Sequence, residues 1–397
     1  MMRSLFAAVS GLRQNQTAMD VIGNNIANVN TPGFKTSRVT FQQLFSQTLR
    51  AATRPTATSG GLNPTKVGLG VQLGSIDKLM EPGSIQGTGR PTDVAIQGDG
   101  FFVVSDGTQT YYTRVGNLGR DADGYLVDAS TGARLLGVGV DGQLQAIHIP
   151  LGTSNEPHAT TTVTFANNLD AGAPEGTAVT LYPLAYASNG NAQQLAITLT
   201  RAASVGATTD WNVTLSDGTD TPPTLSPAVL SFDGTGNVTG DTTLTATVGG
   251  QPLTFDFSAV TGYAGSSSVS LVGQDGYPAG ELSAFAIGTD GEVTGAYSNG
   301  LTRSLGTIAV ATFSNPNGLQ EIGGGRFVAS NNSGEANLGA PGDGDRGILA
   351  SSSLEMSNVD LAQQFTDMIV TQRAYQANAR VITTSDEMLQ ELANLKR

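Results

Sequence analysis

The sequence has 397 residues, a net charge of −13, no cysteine and only 13% charged residues. This length can hold two or three domains, and the missing cysteine excludes disulfides and thiol-based metal sites. Residues 151–346 contain four basic and 17 acidic residues. Because no basic stripe offers a site for phosphates, nucleic acid is not an expected partner.

The N-terminal region predicts a helix, and no segment predicts membrane insertion. Residues 4–29 contain no proline and two glycines. No apolar run reaches the roughly 20 residues that span a bilayer. The first residues also lack the apolar core and small-residue cleavage site of a signal peptide, so we expect no cleaved leader.

Apolar residues recur at spacings of three and four in both terminal regions, which is typical of helices that pair as a coiled coil. The predicted seam residues are Leu5, Leu12, Met19, Ile22, Ile26, Leu361, Phe365, Met368, Tyr375, Ile382 and Leu389. Neither helix has a neighbouring helix in the sequence. We therefore expect the two termini to pair with each other; the alternative is two unrelated helices docked on the β domains.

Further features of these helices predict contacts with other molecules. Asn15, Gln372 and Asp386 interrupt the seams, and polar residues at such positions fix the register of packed helices. Apolar residues also lie off the seams, and exposed apolar faces mark interaction sites; they are Phe6, Val9, Ile369, Val370, Val381 and Leu392. At the start of the second helix we expect Ser357 to be the cap and Asp360 to lie in the first turn.

The segment "NNIANVNTPGFK" predicts the end of the first helix. Asn24, Asn25, Asn28 and Asn30 can hydrogen-bond backbone groups where regular structure ends. Pro32 cannot continue a helix, Gly33 frees the turn, and Phe34 is expected to anchor it; these four Asn residues are also compatible with an ordinary capped helix end.

Short strands separated by Asp-Gly and other glycine turns fill the middle of the chain, as in "GDGFFVVSDG" and "VDGQLQAIHIP". The predicted class is a multidomain α+β protein with paired coiled-coil-like terminal helices and two nested, mostly-β domains. We place the helical domain at 1–30 with 355–397, a linker at 31–70, the first β domain at 71–148 with 281–354, and an inserted β domain at 149–280. Within the linker, "VTFQQLFSQTLR" has some helical periodicity.

The sequence favours a non-enzyme without metal or cofactor. His148 and His158 occur without the G-x-S-x-G motif of a serine hydrolase. No phosphate-binding loop or zinc-helix motif is present in the sequence. Asp121, Asp123 and Asp128 could bind calcium, but they lack the pattern of an EF-hand loop.

Both ends carry a family resemblance. "AVSGLRQNQTAMDVIGNNIANVNTPGFKTSR" resembles the N-terminal signature of bacterial flagellar axial proteins, the family of rod, hook and hook-associated subunits. "SNVDL" and "IVTQRAYQANARVI" resemble the C-terminal signature and are most similar to those of hook subunits, as are "IQGDGFFVV" and "YTRVGNLGRDADGYLVD" in the middle. The resemblance covers both ends and most of the β domains.

The resemblance implies a flexible tubular homopolymer outside the cell, which joins rod to filament and transmits torque. The implied partners are further copies of the chain, the distal rod protein, the hook cap, the hook–filament junction proteins and the flagellar type III export apparatus. Polymer bending would use compliance in residues 31–70 and 339–347. The alternatives are a distal rod or other axial subunit and, in another class, a secreted β-rich adhesin.

Overall fold

The computed structural model describes residues 2–55, 60–139, 141–203, 208–218 and 223–394. Helix α1 covers Met2–Ala27, helix α2 covers Leu361–Asn394, and strands form most of the regular structure between them. The predicted class of two terminal helices with mostly-β domains is therefore confirmed. Within the described residues, no helix is both long and apolar enough to cross a membrane.

A long antiparallel ribbon follows α1, and each of its two arms contains two short strands. It consists of β1 (Ser37–Gln43), β2 (Ser46–Arg50), β3 (Thr65–Gly68) and β4 (Val71–Lys78). β1 pairs with β4 and β2 pairs with β3. The helical periodicity noted in "VTFQQLFSQTLR" does not correspond to a helix, because these residues form most of β1 and all of β2. We call residues 37–78 the ribbon; residues 56–59, part of the predicted linker, lie outside the described residues.

The chain divides into two compact units. The first contains Met1–Pro150, Phe285–Thr294 and Ser304–Arg397, and the second contains Leu151–Ala284 and Gly295–Arg303. The finer division predicted from the sequence, with a separate helical domain and one β domain nested in the other, stays a prediction.

Eight strands follow the ribbon in the first unit: β5 (Ile85–Gly87), β6 (Val94–Gln97), β7 (Phe101–Ser105), β8 (Thr110–Thr113), β9 (Leu118–Arg120), β10 (Leu126–Asp128), β11 (Arg134–Val138) and β12 (Leu144–Ala146). β7 is buried on both faces, which explains its unbroken apolar run. Phe101, Val103, Tyr112 and Phe327 belong to the core beneath it. The predicted Asp-Gly turns are present, for example at Asp106-Gly107, where Gly107 has φ 91°.

The second unit contains a β-sandwich. Its strands are β13 (Thr162–Asn168), β14 (Ala178–Leu181), β15 (Leu184–Tyr186), β16 (Ala192–Gln194), β17 (Ala196–Arg201), β18 (Thr209–Ser216), β19 (Val229–Phe232), β20 (Val238–Thr239), β21 (Thr243–Val248), β22 (Gln251–Thr261) and β23 (Ser270–Gln274). The orders β21-β22-β13-β23 and β14-β17-β18-β19-β20 form its two main sheets. Alternating residues of both sheets, including Phe165 and Trp211, share one buried core.

The remaining strands lead back to the terminal helix. They are β24 (Leu282–Ile287), β25 (Glu292–Tyr297), β26 (Thr302–Ile308), β27 (Val310–Thr312), β28 (Gln320–Gly323), β29 (Arg326–Val328), β30 (Asn337–Gly339), β31 (Ile348–Ser351) and β32 (Ser353–Glu355), with a 3₁₀ turn at Pro316–Gly318. In the first unit, β11-β7-β8-β29-β28 are neighbours in one sheet. β32 pairs with β5, so the segment before α2 is held by a strand from the N-terminal part of the chain.

Candidate self-assembly surface

Helices α1 and α2 contact each other along their length. Near the end of α1, Asn25 donates from Nδ2 to Oε1 of Gln364, near the start of α2, at 3.0 Å. Nearer the start of α1, a Cβ added at Gly11 would lie 2.7 Å from Nδ2 of Asn378, which is about four turns further along α2 than Gln364. Early positions of one helix thus meet late positions of the other, so the helices are antiparallel.

Small and polar residues form this contact. Seven-residue steps lead from Gly11 through Ala18 to Asn25, and from Gln364 through Thr371 and Asn378 to Ser385. Ala18, Asn25, Gln364 and Ser385 are buried. A seven-residue period is what keeps two helices in contact as they wind around each other. This set was not predicted from the sequence, because a heptad period is recognised by its apolar residues.

The apolar residues of the predicted seams are half-buried or exposed, and none of them is fully buried. Leu5, Leu12, Met19, Ile22 and Ile26 of α1 are half-buried, as are Met368 and Ile382 of α2. Leu361, Phe365, Tyr375 and Leu389 are exposed by 37–50%. The expectation that these four pair α2 with α1 is wrong, because small side chains allow the closer approach on another face. Their role in self-assembly stays a prediction.

The three polar residues that interrupt the predicted seams are not fully buried. Asn15 is half-buried, while Gln372 and Asp386 are exposed. Asp386 accepts a hydrogen bond from Gln390 of the same helix at 3.1 Å. Within the described residues, no hydrogen bond joins any of the three to the opposite helix. Their predicted role in setting register remains a prediction for contacts between copies.

A set of exposed apolar side chains remains on the two helices. We call it the helical apolar set; its members are Phe6, Val9, Phe365, Ile369, Val370 and Val381, exposed by 37–66%. Leu392 was predicted to belong with them, but its side chain lies outside the described residues. Apolar surface of this extent on one part of a chain marks an interaction site.

The amide-rich turn after α1 joins the helix to the ribbon. Asn25 is buried, and its Nδ2 donates to the Ser37 carbonyl at 2.8 Å while its Oδ1 accepts from the Ser37 N–H at 3.0 Å. The side chain thereby satisfies a strand backbone as another strand would. Asn28 donates to the carbonyl of Asn24 at 2.9 Å and accepts from Thr31 at 3.1 Å. Asn24 and Asn30 are exposed.

Both the backbone conformation and the limited space at position 33 require a glycine. Its φ is +70°, and a Cβ there would lie 3.0 Å from the backbone N of Val115. Its N–H donates to the Glu355 carbonyl at 2.8 Å. Pro32 and Phe34 are half-buried on either side, and the Phe34 ring lies 5.6 Å from Nζ of Lys78.

A buried cluster of charges lies next to this turn. Lys35 Nζ is 2.7 Å from Glu355 Oε1, and Arg114 Nη1 is 3.3 Å from Glu355 Oε2. All three side chains are exposed by 2% or less. Lys35 also donates to the Glu81 carbonyl at 2.8 Å. One carboxylate therefore joins the turn after α1, the β sheet and the segment that precedes α2.

The electrostatics of this cluster depend on Glu355. Burial lowers the pKa of Lys35, and the Glu355 carboxylate offsets part of that effect. Burial likewise lowers the pKa of Arg114 and Glu355 again opposes it. A buried charge that loses its partner is strongly destabilising. The cluster has no signature in the sequence, because Lys35 and Glu355 are 320 positions apart.

Asn358 strengthens the same junction. Its Oδ1 accepts hydrogen bonds from both the N–H and the hydroxyl of Thr36 at 2.8 Å, and its Nδ2 donates to the Leu79 carbonyl at 2.9 Å. At the start of α2, Asp360 accepts from the N–H groups of Ala362 and Gln363 at 2.9 and 3.2 Å. The helix cap is therefore Asp360; the expectation that Ser357 is the cap is wrong, because α2 begins three residues later than predicted.

The ribbon is packed on α1 at one end and exposed at the other. Its inner half contacts α1, where the Val71 N–H donates to the Ser10 hydroxyl at 3.2 Å. In its outer half, every residue of β2 and β3 is exposed. Phe45 is 88% and Leu49 58% exposed. A ribbon of only two strands is marginally stable by itself, so this half is a second surface that a partner would stabilise.

The residues considered for catalysis and calcium binding have structural contacts. His148 Nε2 lies 2.8 Å from the Asp123 carbonyl, and His158 is stacked on Tyr277 at 5.5 Å. Asp121 accepts from the Tyr125 N–H, and Asp128 from the Ser130 and Thr131 hydroxyls. Across the described ranges, no group of three or more His, Asp or Glu side chains is arranged to hold a metal ion.

Four families match consecutive parts of the chain. They are described as flagella basal body rod protein (residues 5–35), flagellar hook protein FlgE/F/G D1 domain (95–167), flagellar basal body protein FlaE D2 domain (176–277) and flagellar basal body rod FlgEFG protein C-terminal (350–395). The matches include both helices and parts of both units. They define the class as subunits of the flagellar rod and hook.

Individual relatives narrow the class. The chain is 39% identical to the flagellar hook protein FlgE of Borreliella burgdorferi, with 100% of both chains covered. It is 34% identical to that of Salmonella typhimurium, with 99% and 100% covered, and 33% identical to the flagellar basal-body rod protein FlgG of Bacillus subtilis, with 100% of both covered. The chain belongs to the flagellar hook protein family, which confirms the interpretation as a structural protein and not an enzyme.

The fold agrees with a solved member of this family. The crystal structure of Helicobacter pylori flagellar hook protein FlgE2 matches 68% of this chain and 100% of that chain with a TM-score of 0.52 at 16% identity. At this identity the likeness concerns the fold alone.

Proposed function

We propose that this protein is the structural subunit of a flagellar hook and assembles with copies of itself into a flexible tube outside the cell. The tube couples the rod to the filament and transmits torque. The observation that carries this proposal is the helical apolar set: Phe365, Ile369 and Val370 are exposed by 50%, 58% and 63% in a chain that belongs to a structural flagellar family.

In the proposed tube, α1 and α2 form a coiled-coil-like inner layer. Their small and polar residues face each other, which leaves the apolar residues free for neighbouring copies. Each large apolar side chain that becomes fully buried contributes about 1.5–3 kcal/mol. Because every copy repeats the same contacts, a modest energy for each residue is sufficient for a stable polymer.

The further partners follow from the same proposal. At its ends the tube would contact the distal rod protein and the hook–filament junction proteins, with the hook cap at the growing end. The flagellar type III apparatus would export the chain. Compliance would come from the ribbon; residues 339–347 are less suited, because Arg346 binds the Ala340 carbonyl at 3.0 Å and Asp343 at 2.7 Å across that loop.

Polymerisation of purified protein tests the proposal. Electron microscopy under polymerising conditions should show tubes for the wild type and none for a Phe365→Ser, Val370→Ser double variant. Val272→Ser is a matched control, since Val272 is 64% exposed in the second unit. A wild-type protein that stays monomeric, or a double variant that polymerises normally, would contradict the proposal. The rod alternative is tested in cells that lack their hook gene, where this chain should restore hooks.

A further inference from the structure

An open cavity of about 570 Å³ in the first unit is unused by the contacts described so far. Its lining includes the apolar side chains of Met80, Phe101 and Phe313. The two Phe rings are in an edge-to-face arrangement with centroids 5.9 Å apart. The cavity therefore has an ordered apolar floor.

The polar groups of this cavity are of two kinds. Asp99, Glu335 and Asp345 line it and are exposed, which gives it an acidic rim. Arg114 also lines it, with a side chain exposed by only 2%. Arg114 Nη1 is bound to Glu355, but its buried Nε has no hydrogen-bond partner within the described residues. A buried N–H without an acceptor costs free energy that an incoming oxygen atom would recover.

These groups define the ligand. An acidic rim favours basic side chains, an apolar floor favours apolar side chains, and the free N–H of Arg114 needs an acceptor such as a backbone carbonyl. An extended, basic peptide segment with exposed apolar residues supplies all three. A small inorganic ion can satisfy only one of these three requirements.

The ribbon has this chemistry. Residues 37–78 contain five basic residues and one acidic residue in a chain with a net charge of −13. Arg50, Arg54 and Lys66 lie in its outer half and are exposed, as are Phe45 and Leu49. We infer that the outer half of the ribbon from one copy of the chain binds the acidic cavity of a second copy. The inference rests on the proposed self-assembly and names one of its contacts.

A charge swap tests the pairing in the full-length protein. Reversing the rim (Glu335→Lys, Asp345→Lys) or the ribbon (Arg54→Glu, Lys66→Glu) should raise the critical concentration for polymerisation by about tenfold or more, since like charges then face each other. The chain that carries all four changes should recover most of the wild-type value. Asp141→Lys and Arg120→Glu, at exposed sites away from both surfaces, are the matched controls.

The lack of native cysteine allows a second, direct test. Lys66→Cys and Glu335→Cys chains are mixed, polymerised and oxidised. A disulfide-linked dimer should form in the polymer and be absent when Asp141→Cys replaces Glu335→Cys. Normal polymerisation of the reversed variants, no recovery in the fourfold variant, or no cross-link in an intact polymer would each overturn the inference while the proposed function stands. Failure of the wild type to polymerise would overturn the proposed function itself.

Discussion

The β-sandwich of the second unit and the terminal helices satisfy their apolar residues in different ways. In the sandwich, Phe165 and Phe257 are stacked at 4.8 Å and fully buried. In α2, Phe365 is half exposed, while the buried positions hold Gln364 and Ser385. The sandwich completes its core within one chain. The helices pack small and polar residues against each other within the chain and leave large apolar residues exposed for contacts with other copies. The same Phe→Ala substitution should therefore lower monomer stability in the sandwich but impair polymerisation in α2.

The largest expected effect compares two Phe→Ala changes. Phe257→Ala should lower the free energy of unfolding of the sandwich by about 3–5 kcal/mol, because it leaves a cavity in a closed core. Phe365→Ala should change monomer stability by about 0.5 kcal/mol or less, as for other surface positions, yet impair polymerisation. Denaturant unfolding of the monomer and a sedimentation assay of the polymer measure the two effects. Equal losses of monomer stability would show that the comparison is mistaken.

The next effect concerns the junction between the helices and the β sheet. Glu355→Gln leaves Lys35 and Arg114 buried without a counter-charge and should lower the free energy of unfolding by about 3 kcal/mol. This value is at the lower end for a broken buried pair, because glutamine can still accept hydrogen bonds. Asp77→Asn is the control, since Arg38 and Asp77 form an exposed pair at 3.6 Å and such pairs contribute about 1 kcal/mol or less. Thermal unfolding measures both; similar shifts would contradict the assigned role of the cluster.

A smaller effect is expected at the turn after α1. Asn25→Ala removes two hydrogen bonds to Ser37 and one to Gln364, and should destabilise the helix pair by about 2 kcal/mol because the freed groups are buried. Asn30→Ala should be close to neutral, since Asn30 is exposed. Hydrogen exchange of the α1 amides distinguishes the variants. Unchanged protection in Asn25→Ala would mean that the residue does not fasten the helix.

The smallest effect is a pH dependence within the sandwich unit. Partial burial raises the pKa of Asp275, but hydrogen bonds from the hydroxyl and N–H of Thr161 and the N–H of Thr162 outweigh it and hold the pKa below the ordinary value of an aspartate. A depressed carboxyl pKa stabilises the fold above the unfolded value and loses that effect as pH falls through the folded value. Between pH 5 and pH 3 the thermal midpoint should fall slightly more in the wild type than in Asp275→Asn. Identical slopes would contradict this assignment.

Local patterns predicted much of the fold. The proline-free segment 4–29 and the spacing of apolar residues at both ends predicted α1 and α2, and Asp-Gly pairs predicted turns such as Asp106-Gly107. The ribbon was missed because "VTFQQLFSQTLR" has apolar spacing compatible with a helix, and its strand partner, β4, comes some 30 residues later. The pairing of the helices was predicted, but its face was not, since Gly11, Asn378 and Ser385 carry no apolar signal.

The candidate site was predicted least well where it depends on distant parts of the chain. Nothing local to Lys35 indicates that its partner is Glu355, or that Arg114 shares it. Asn25 stood out in the amide run, but only the structure separates it from Asn24 and Asn30, which have the same side chain and are exposed. The exposed residues Phe6, Ile369 and Val370 were recognised from the sequence, because too many apolar residues surround each helix for one neighbour to cover.

The ion pair between Lys35 and Glu355 also governs when the chain can fold. Its two members are 320 positions apart in a chain of 397 residues, so the contact cannot close until that whole loop is available, and loops of such length are slow to close. In a chain that emerges with its N-terminus first, Lys35 therefore lacks its buried partner until Glu355 has emerged. The same holds for the bonds of Asn25 to Gln364 and of Thr36 to Asn358, so the junction between the helices and the β sheet is completed only when the last part of the chain is present.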